Sequence, residues 1–198
     1  MIKAVIFDCF SVLIGDATKL AANELWLADH EKGEQFRAIT HAVDRGIISE
    51  TEAVDTHASL LGMSPEVLRE LRNKGEVRNV ELLEYIESSL KGQYKLAVMS
   101  NISSRPRLDL RFLPGELDRI FDVVVASGDV GYIKPQQEIY QIVAEKLGVE
   151  PEECVLIDDI ADFCDGARAI GMQAIQFTSN TQALTELSAL IDRSEKRV

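Results

Sequence analysis

Four places in the chain hold residues able to do chemistry, and each stands at or just past the end of an apolar run. Asp8 closes Ala4-Val5-Ile6-Phe7, and Ser100-Asn101 close Leu96-Ala97-Val98-Met99. Lys134 stands before Pro135, past the run that ends at Ala126, and Asp158-Asp159 close Val155-Leu156-Ile157. A carboxylate can attack an electrophilic phosphorus or carbon and form a covalent intermediate. A hard divalent cation such as Mg²⁺ prefers oxygen ligands, which Asp8, Asp158 or Asp159 and a backbone carbonyl offer, and it neutralises anions brought together. Ser100 can donate to a phosphoryl oxygen, and Lys134 can hold the attacking carboxylate and the developing charge. Taken singly, each has an ordinary reading: Asp8 caps a loop, Ser100-Asn101 make a turn, Lys134 is solvated at a helix entry, and Asp158-Asp159 cap the following helix. Four such groups in this order at successive strand ends point to one crevice.

The elements that must hold them follow from hydrophobic periodicity. Lys3–Phe7, Lys95–Met99, Asp122–Ala126, Cys154–Ile157 and Gln173–Phe177 are short and almost continuously apolar, as strands buried on both faces are. Helical patterns lie between the later ones. Pro135 is expected at a first helical position, with Ile139, Ile142, Val143 and Leu147 at helical spacing and Gly148 as the stop; a second helix, Asp162 to Ile170, ends at Gly171. Alternating strands and helices predict an α/β fold with a parallel sheet sandwiched by helices. From Gly15 to Arg78 the pattern is helical throughout, with Ser49-x-x-Glu52 as a capping box and Ser64-Pro65 opening a helix after Gly62. The expected division is a core of residues 1–14 and 79–198 and an all-helical cap of residues 15–78, inserted after the first strand and packed on the core as a lid.

The chain has 198 residues, 46% hydrophobic and 27% charged, which suits one compact domain carrying one insertion. The net charge of -12 repels polyanions, so nucleic acid and acidic membranes are poor partners, while a metal and a few local cations still admit a small phosphorylated substrate. No apolar stretch approaches the roughly 20 residues of a membrane span, and the N-terminus has neither a basic n-region nor a cleavable h-region. A cytoplasmic location is expected. Cys9, Cys154 and Cys164 match no metal spacing and are expected as reduced, buried thiols. His30, His41 and His57 are scattered and read as solvated or packing residues, Trp26 as a core residue ahead of a substrate contact, and Asp192 to Val198 as a solvated tail.

With these motifs the chain resembles the haloacid dehalogenase superfamily of hydrolases. Val5-Ile6-Phe7-Asp8 looks like its first motif, Leu96 to Asn101 its second, Lys134-Pro135 its third, and Val155 to Asp159 with Gly166-Ala167-Arg168-Ala169-Ile170-Gly171-Met172 its fourth. The resemblance implies a Rossmann-like core, a small helical cap and Mg²⁺ as cofactor. It implies Asp8 as nucleophile, Ser100 and Lys134 as phosphoryl-positioning groups, Asn101 as a substrate contact, and Asp159 with Asp158 as metal ligands. A two-component receiver domain uses a similar kit, but there the paired acids come from the first strand.

The pattern departs from the family at three places. Phosphatases of the superfamily carry a second Asp two residues after the nucleophile, where this chain has Phe10. Its carbonyl can still bind the metal, but its side chain cannot move a proton, a service typically worth about 10²–10⁴ in rate. The 2-haloacid dehalogenases also carry an aromatic residue there, but they lack the acidic pair that this chain keeps. Ser11 stands where the family has Gly, so a positive φ is expected to be harder to reach. Phe163 stands where relatives place Asp or Asn around the metal. The expectation is a Mg²⁺-dependent hydrolase of small phosphorylated metabolites acting through an aspartyl-phosphate on Asp8. The alternatives are a binding or regulatory protein of weak or no activity and a 2-haloacid dehalogenase.

Overall fold

A computed structural model gives the structure of the chain and describes residues 1–195. The first strand, β1 (Ala4–Phe7), is followed by α1 (Lys19–Ala28), α2 (His30–Asp44), α3 (Glu50–Leu60) and α4 (Pro65–Gly75). The chain continues through α5 (Val80–Tyr85), which widens into a π-helical turn over Ile86–Leu90, to β2 (Lys95–Ser100). Next come α6 (Arg105–Asp109), α7 (Glu116–Ile120), β3 (Val123–Ala126), α8 (Ser127–Val130) and α9 (Gln137–Leu147). The last elements are β4 (Cys154–Asp158), α10 (Ala161–Ala169), β5 (Gln173–Gln176) and α11 (Asn180–Glu195).

The five strands form one all-parallel sheet in the order β3-β2-β1-β4-β5, so the expected α/β architecture is present. Alternating side chains feed two cores. Val5, Phe7, Leu96, Val98, Val155 and Ile157 pack with Leu82, Ile86 and Leu117 on one face, and Ala4, Ile6, Ala97, Met99 and Leu156 pack with Ile139, Tyr140 and Val143 on the other. Every residue of β1 is fully buried, as its unbroken apolar run requires. After β1 the chain builds outward through β2 to β3 and then returns to lay β4 on the other side of β1. The β1/β4 pair is therefore the point where strand order reverses, which is where open α/β sheets bind ligands.

Local signals set most helix starts. Both bonds of the Ser49/Glu52 capping box form, at 3.1 and 2.7 Å, and Ser64 Oγ accepts the Val67 N–H at 3.4 Å. Pro135 is not the first residue of α9. Its peptide with Lys134 is cis, Gln136 is extended, and the Ile133 N–H donates to Gln136 Oε1, so the helix opens only at Gln137. From Asp192 the tail is expected to be frayed and solvated; Asp192 is exposed, yet α11 stays helical to Glu195, and residues 196–198 of that expectation lie outside the described residues. No helix among the described residues is long and apolar enough to cross a membrane.

The helices α1 to α4 enter and leave through two adjacent strips of chain. Ile14 bridges Arg78 antiparallel, the Gly15 N–H donates to the Val77 carbonyl at 2.8 Å, and the Asn79 N–H donates to the Leu13 carbonyl at 2.8 Å. A Cβ on Gly15 would strike the Gly75 carbonyl, and one on Gly75 would strike Ala17, so the two strips touch backbone to backbone. Gly15→Ala should therefore cost about 1–3 kcal/mol of stability, because backbone rather than a flexible side chain must move. Urea unfolding of the variant checks this, and a loss under about 0.5 kcal/mol would contradict the packing.

Candidate active site

Asp8 is held at the tip of β1 by its own N–H, which donates to the Ile157 carbonyl of β4 at 2.9 Å. The chain then folds tightly over Cys9, whose carbonyl accepts the N–H groups of Val12, Leu13 and Ile14 at 3.3, 2.8 and 2.9 Å. Ser11 takes φ 63°, so the left-handed turn forms with a serine despite the missing glycine, at a cost of order 1–2 kcal/mol.

Lys134 is the centre of the cluster. Its side chain is fully buried, with Nζ 2.6 Å from Asp8 Oδ1 and 2.5 Å from Asp158 Oδ2, which rules out a solvated helix-entry lysine. The Phe163 ring lies 5.0 Å from the ammonium, and the Tyr140 hydroxyl holds the Phe163 carbonyl at 2.9 Å. Asn101 clamps the lysine's main chain: its Oδ1 accepts the Lys134 N–H at 2.8 Å and its Nδ2 donates to the Lys134 carbonyl at 3.2 Å. Both polar ends of Asn101 thus serve Lys134, although the residue also lines the cavity. Burial alone would lower the Lys134 ammonium, but the attraction of Asp158 and Asp8 reverses this and raises it. Burial pushes the Asp8 carboxyl up to about 7 against the pull of Lys134.

The three acids at the tips of β1 and β4 come together. Asp8, Asp158 and Asp159 each offer an oxygen, and these oxygens lie within 4.8 Å of one another. Asp158 is fully buried and its Oδ1 accepts the Ile160 N–H at 3.0 Å, while Asp159 pairs with Lys19 at the start of α1. The donors are all hard oxygens on a rigid strand pair, which fits Mg²⁺. Ser100, at the tip of β2, is fully buried and its Oγ has no hydrogen-bond partner, an orphaned donor of the kind a ligand oxygen satisfies. The Phe10 side chain packs against the core on one side and faces the cavity on the other.

Above this floor is a cavity of about 880 Å³ walled by α1, α2 and α3. Trp26 lines it rather than a core, with the Arg37 guanidinium 4.2 Å over its ring. His57 stacks on Phe36 at 4.3 Å, and burial with nearby Arg72 lowers it to about 4, so it is neutral at ordinary pH. Glu50 on α3 pairs with Arg107 and Arg111 of the core, and Arg111 Nε lies 3.2 Å from Glu76 Oε2, close enough to attract but not aligned as a hydrogen bond. The three cysteines are buried and free, and burial pushes Cys154 up to about 12 and Cys164 to about 11, which keeps both as protonated thiols at ordinary pH. Lys19 and Asp44 also face the cavity, and neither belongs to a sequence motif. Lys19 carries no signal in the sequence; Asp44 carries one, an acid in the last turn of a helix where the dipole disfavours it.

A parallel sheet with a lysine-held carboxylate at its switch point, beneath a helical cover, defines a Rossmann-like α/β protein with a carboxylate centre. The model of the haloacid dehalogenase-like hydrolase family matches residues 2–171, and the chain belongs to that family. Phosphatase MT3486 of Mycobacterium tuberculosis is 33% identical over 118 residues, 54% of this chain and 52% of that protein. Sesquiterpene phosphatase astK of Aspergillus oryzae is 28% identical over 96% of both chains. The first curated relatives that the chain matches are longer, and it spans about half of their length or less. Among solved structures, the Bacteroides thetaiotaomicron enzyme bt-2542, in complex with magnesium and inorganic phosphate, shares the fold with a TM-score of 0.70 at 21% identity, over 91% of this chain and 96% of that one.

Replacing Lys134 by Met leaves two buried carboxylates facing each other without a cation. At pH 8 the variant should lose about 3–5 kcal/mol of stability in urea unfolding. The loss should shrink at pH 5, where one carboxyl takes up a proton instead. A loss independent of pH would mean that the lysine acts mainly by packing.

Proposed function

We propose that the protein is a magnesium-dependent phosphatase of small phosphorylated metabolites that works through an aspartyl-phosphate on Asp8. The observation that carries this reading is Asp8 Oδ1, fixed 2.6 Å from Lys134 Nζ, with the oxygens of Asp158 and Asp159 within 4.8 Å, at the floor of a cavity large enough for a metabolite. The phosphatases among the relatives support it, one of them matching over 96% of both chains.

Each residue has a stated task. Asp8 presents one oxygen to phosphorus while Lys134 holds the other and keeps the carboxylate from turning away. Asn101 holds Lys134 in place, and Ser100 offers its unpartnered hydroxyl to a phosphoryl oxygen. Magnesium held by Asp8, Asp158, Asp159 and the Phe10 carbonyl would neutralise the phosphoryl dianion as the Asp8 carboxylate approaches it. Residues 15–78 act as the lid over residues 1–14 and 79–198, and their cavity-facing side chains choose the substrate. The acidic trio is what separates this reading from a metal-independent dehalogenase.

The purified protein should hydrolyse an aryl phosphate and members of a metabolite-phosphate panel with Mg²⁺ and not after chelation. Asp8→Asn should lower turnover by about 10⁴-fold or more, as loss of a nucleophile does. Turnover that needs no metal and survives Asp8→Asn would refute the mechanism.

A further inference from the structure

The reaction proposed above needs a proton for the leaving alkoxide and a base for the water that follows, and Phe10 supplies neither. On that reading, on which the following inference rests, another group in the cavity must do this work. Most acids there are committed. Asp16 Oδ1 accepts from Thr18 N, Thr18 Oγ1 and Lys19 N at 3.0–3.1 Å; Glu50 and Glu76 pair with arginines; Asp159 pairs with Lys19. Asp162 is exposed on α10. His57 is held by Thr40 and Arg72, and His41 is exposed, its imidazolium disfavoured by partial burial and by Arg45 and Arg37.

Asp44 differs from all of these. It faces the same cavity as Asp8, Phe10 and Lys134, it is half-buried, and among the described residues its carboxyl makes no hydrogen bond or ion pair. It is also the last residue of α2, where a negative charge opposes the helix dipole. An acid kept where both burial and the helix disfavour its charge breaks a local rule, and such breaks concentrate at working sites. Nor does it ride on a loose lid. Ser127 Oγ donates to the Asp44 carbonyl at 2.5 Å and accepts the Ile102 N–H at 2.9 Å, tying the end of α2 to the loop that follows Ser100-Asn101. The turn just past α2 rests on the same place: a Cβ on Gly46 would lie in ordinary van der Waals contact with the Ser103 and Gly128 carbonyls.

We propose that Asp44 is the general acid–base of this site, carried by the cap and registered to the core through Ser127. In the first half-reaction an Asp8 oxygen bonds to phosphorus, the bond from phosphorus to the ester oxygen breaks with its electron pair leaving on that oxygen, and the Asp44 carboxyl gives it a proton. In the second, Asp44 takes a proton from water as the water oxygen bonds to phosphorus, the bond to Asp8 breaks, and the pair returns to the Asp8 carboxylate. Phosphate and alcohol leave, and Asp44 ends protonated as it began. Burial pushes its carboxyl up to about 8 against the pull of Lys134, with Glu50, Asp8 and Asp16 adding to the rise, so it holds a proton near neutral pH.

Leaving-group dependence tests this. Nitrophenolate departs without a proton, whereas an alkoxide does not. With Mg²⁺ present, Asp44→Asn should keep a single-turnover burst of nitrophenol from p-nitrophenyl phosphate yet lose about 10²–10⁴-fold in kcat/KM on a small alkyl phosphate. Asp44→Glu should retain more alkyl-phosphate turnover than Asp44→Asn, and the Asn variant, freed of a disfavoured charge, should melt no lower than the wild type. Equal losses on the two substrates in the burst phase, or equal activity of the Glu and Asn variants, would overturn the assignment. Wild-type turnover of both phosphates with Asp44→Asn unimpaired would overturn it alone, whereas a wild type that turns over neither fails the proposed function and this inference together.

Discussion

One ammonium group has two carboxylates for neighbours and no water to turn to. Lys134 Nζ, with no exposed side-chain surface, lies between Asp8 and Asp158, the acids at the tips of the two strands that flank the reversal of the sheet. Burial disfavours the Lys134 ammonium and the Asp8 carboxylate alike, and their mutual attraction opposes it. The pairing keeps the lysine's charge inside the protein, and the surroundings serve that arrangement. Asn101 fixes the lysine's main chain, Phe163 covers its head, and the Ile160 N–H takes the remaining side of Asp158.

The same logic of paired charge joins the cover to the core. Glu50 on α3 meets Arg107 and Arg111, Arg78 meets the buried Glu116 at 2.6 Å, and Lys19 at the head of α1 meets Asp159. These pairs are partly exposed, so each contributes modestly to stability. What they fix is orientation, which matters more where a cavity wall must face a set of strand tips. The cover has little apolar filling of its own: Val54, Ala58 and Leu68 form a small cluster, and α1 buries no residue at all. It relies on the core for its position.

How much of this the sequence revealed follows from where the signals are local. The five strands are legible because burial on both faces demands continuous Val, Ile, Leu and Ala, and the four motif positions are legible because they directly follow such runs. Helix starts at Ser49 and Ser64 are legible because capping is a matter of three or four residues. Other features depend on contacts distant in sequence. Pro135 looks like a helix opener, yet the chain uses that turn to present Lys134, and α9 begins at Gln137. Asn101 looks like a ligand contact, and only the fold shows both ends of its amide on a lysine 33 positions away. Ser11 looks unsuited to a left-handed turn, but three amides converging on the Cys9 carbonyl hold it there. Lys19 and Trp26 reach the cavity through helix packing that no spacing announces.

The paired strips at Leu13–Gly15 and Val77–Asn79 give the cover a particular kind of independence. Because the inserted chain departs and returns side by side, hydrogen-bonded at its base, the sheet experiences it as a short closed loop whatever lies beyond. The entropy of closing such a loop grows slowly with its length, by about 0.6 kcal/mol per doubling. Helices can therefore be lengthened, exchanged or resurfaced above that base without shifting the register of β1 against β2 and β4. The strand tips and the wall of the cavity above them then sit on separately variable parts of one chain, the first locked in the sheet and the second free to drift on the far side of two touching glycines.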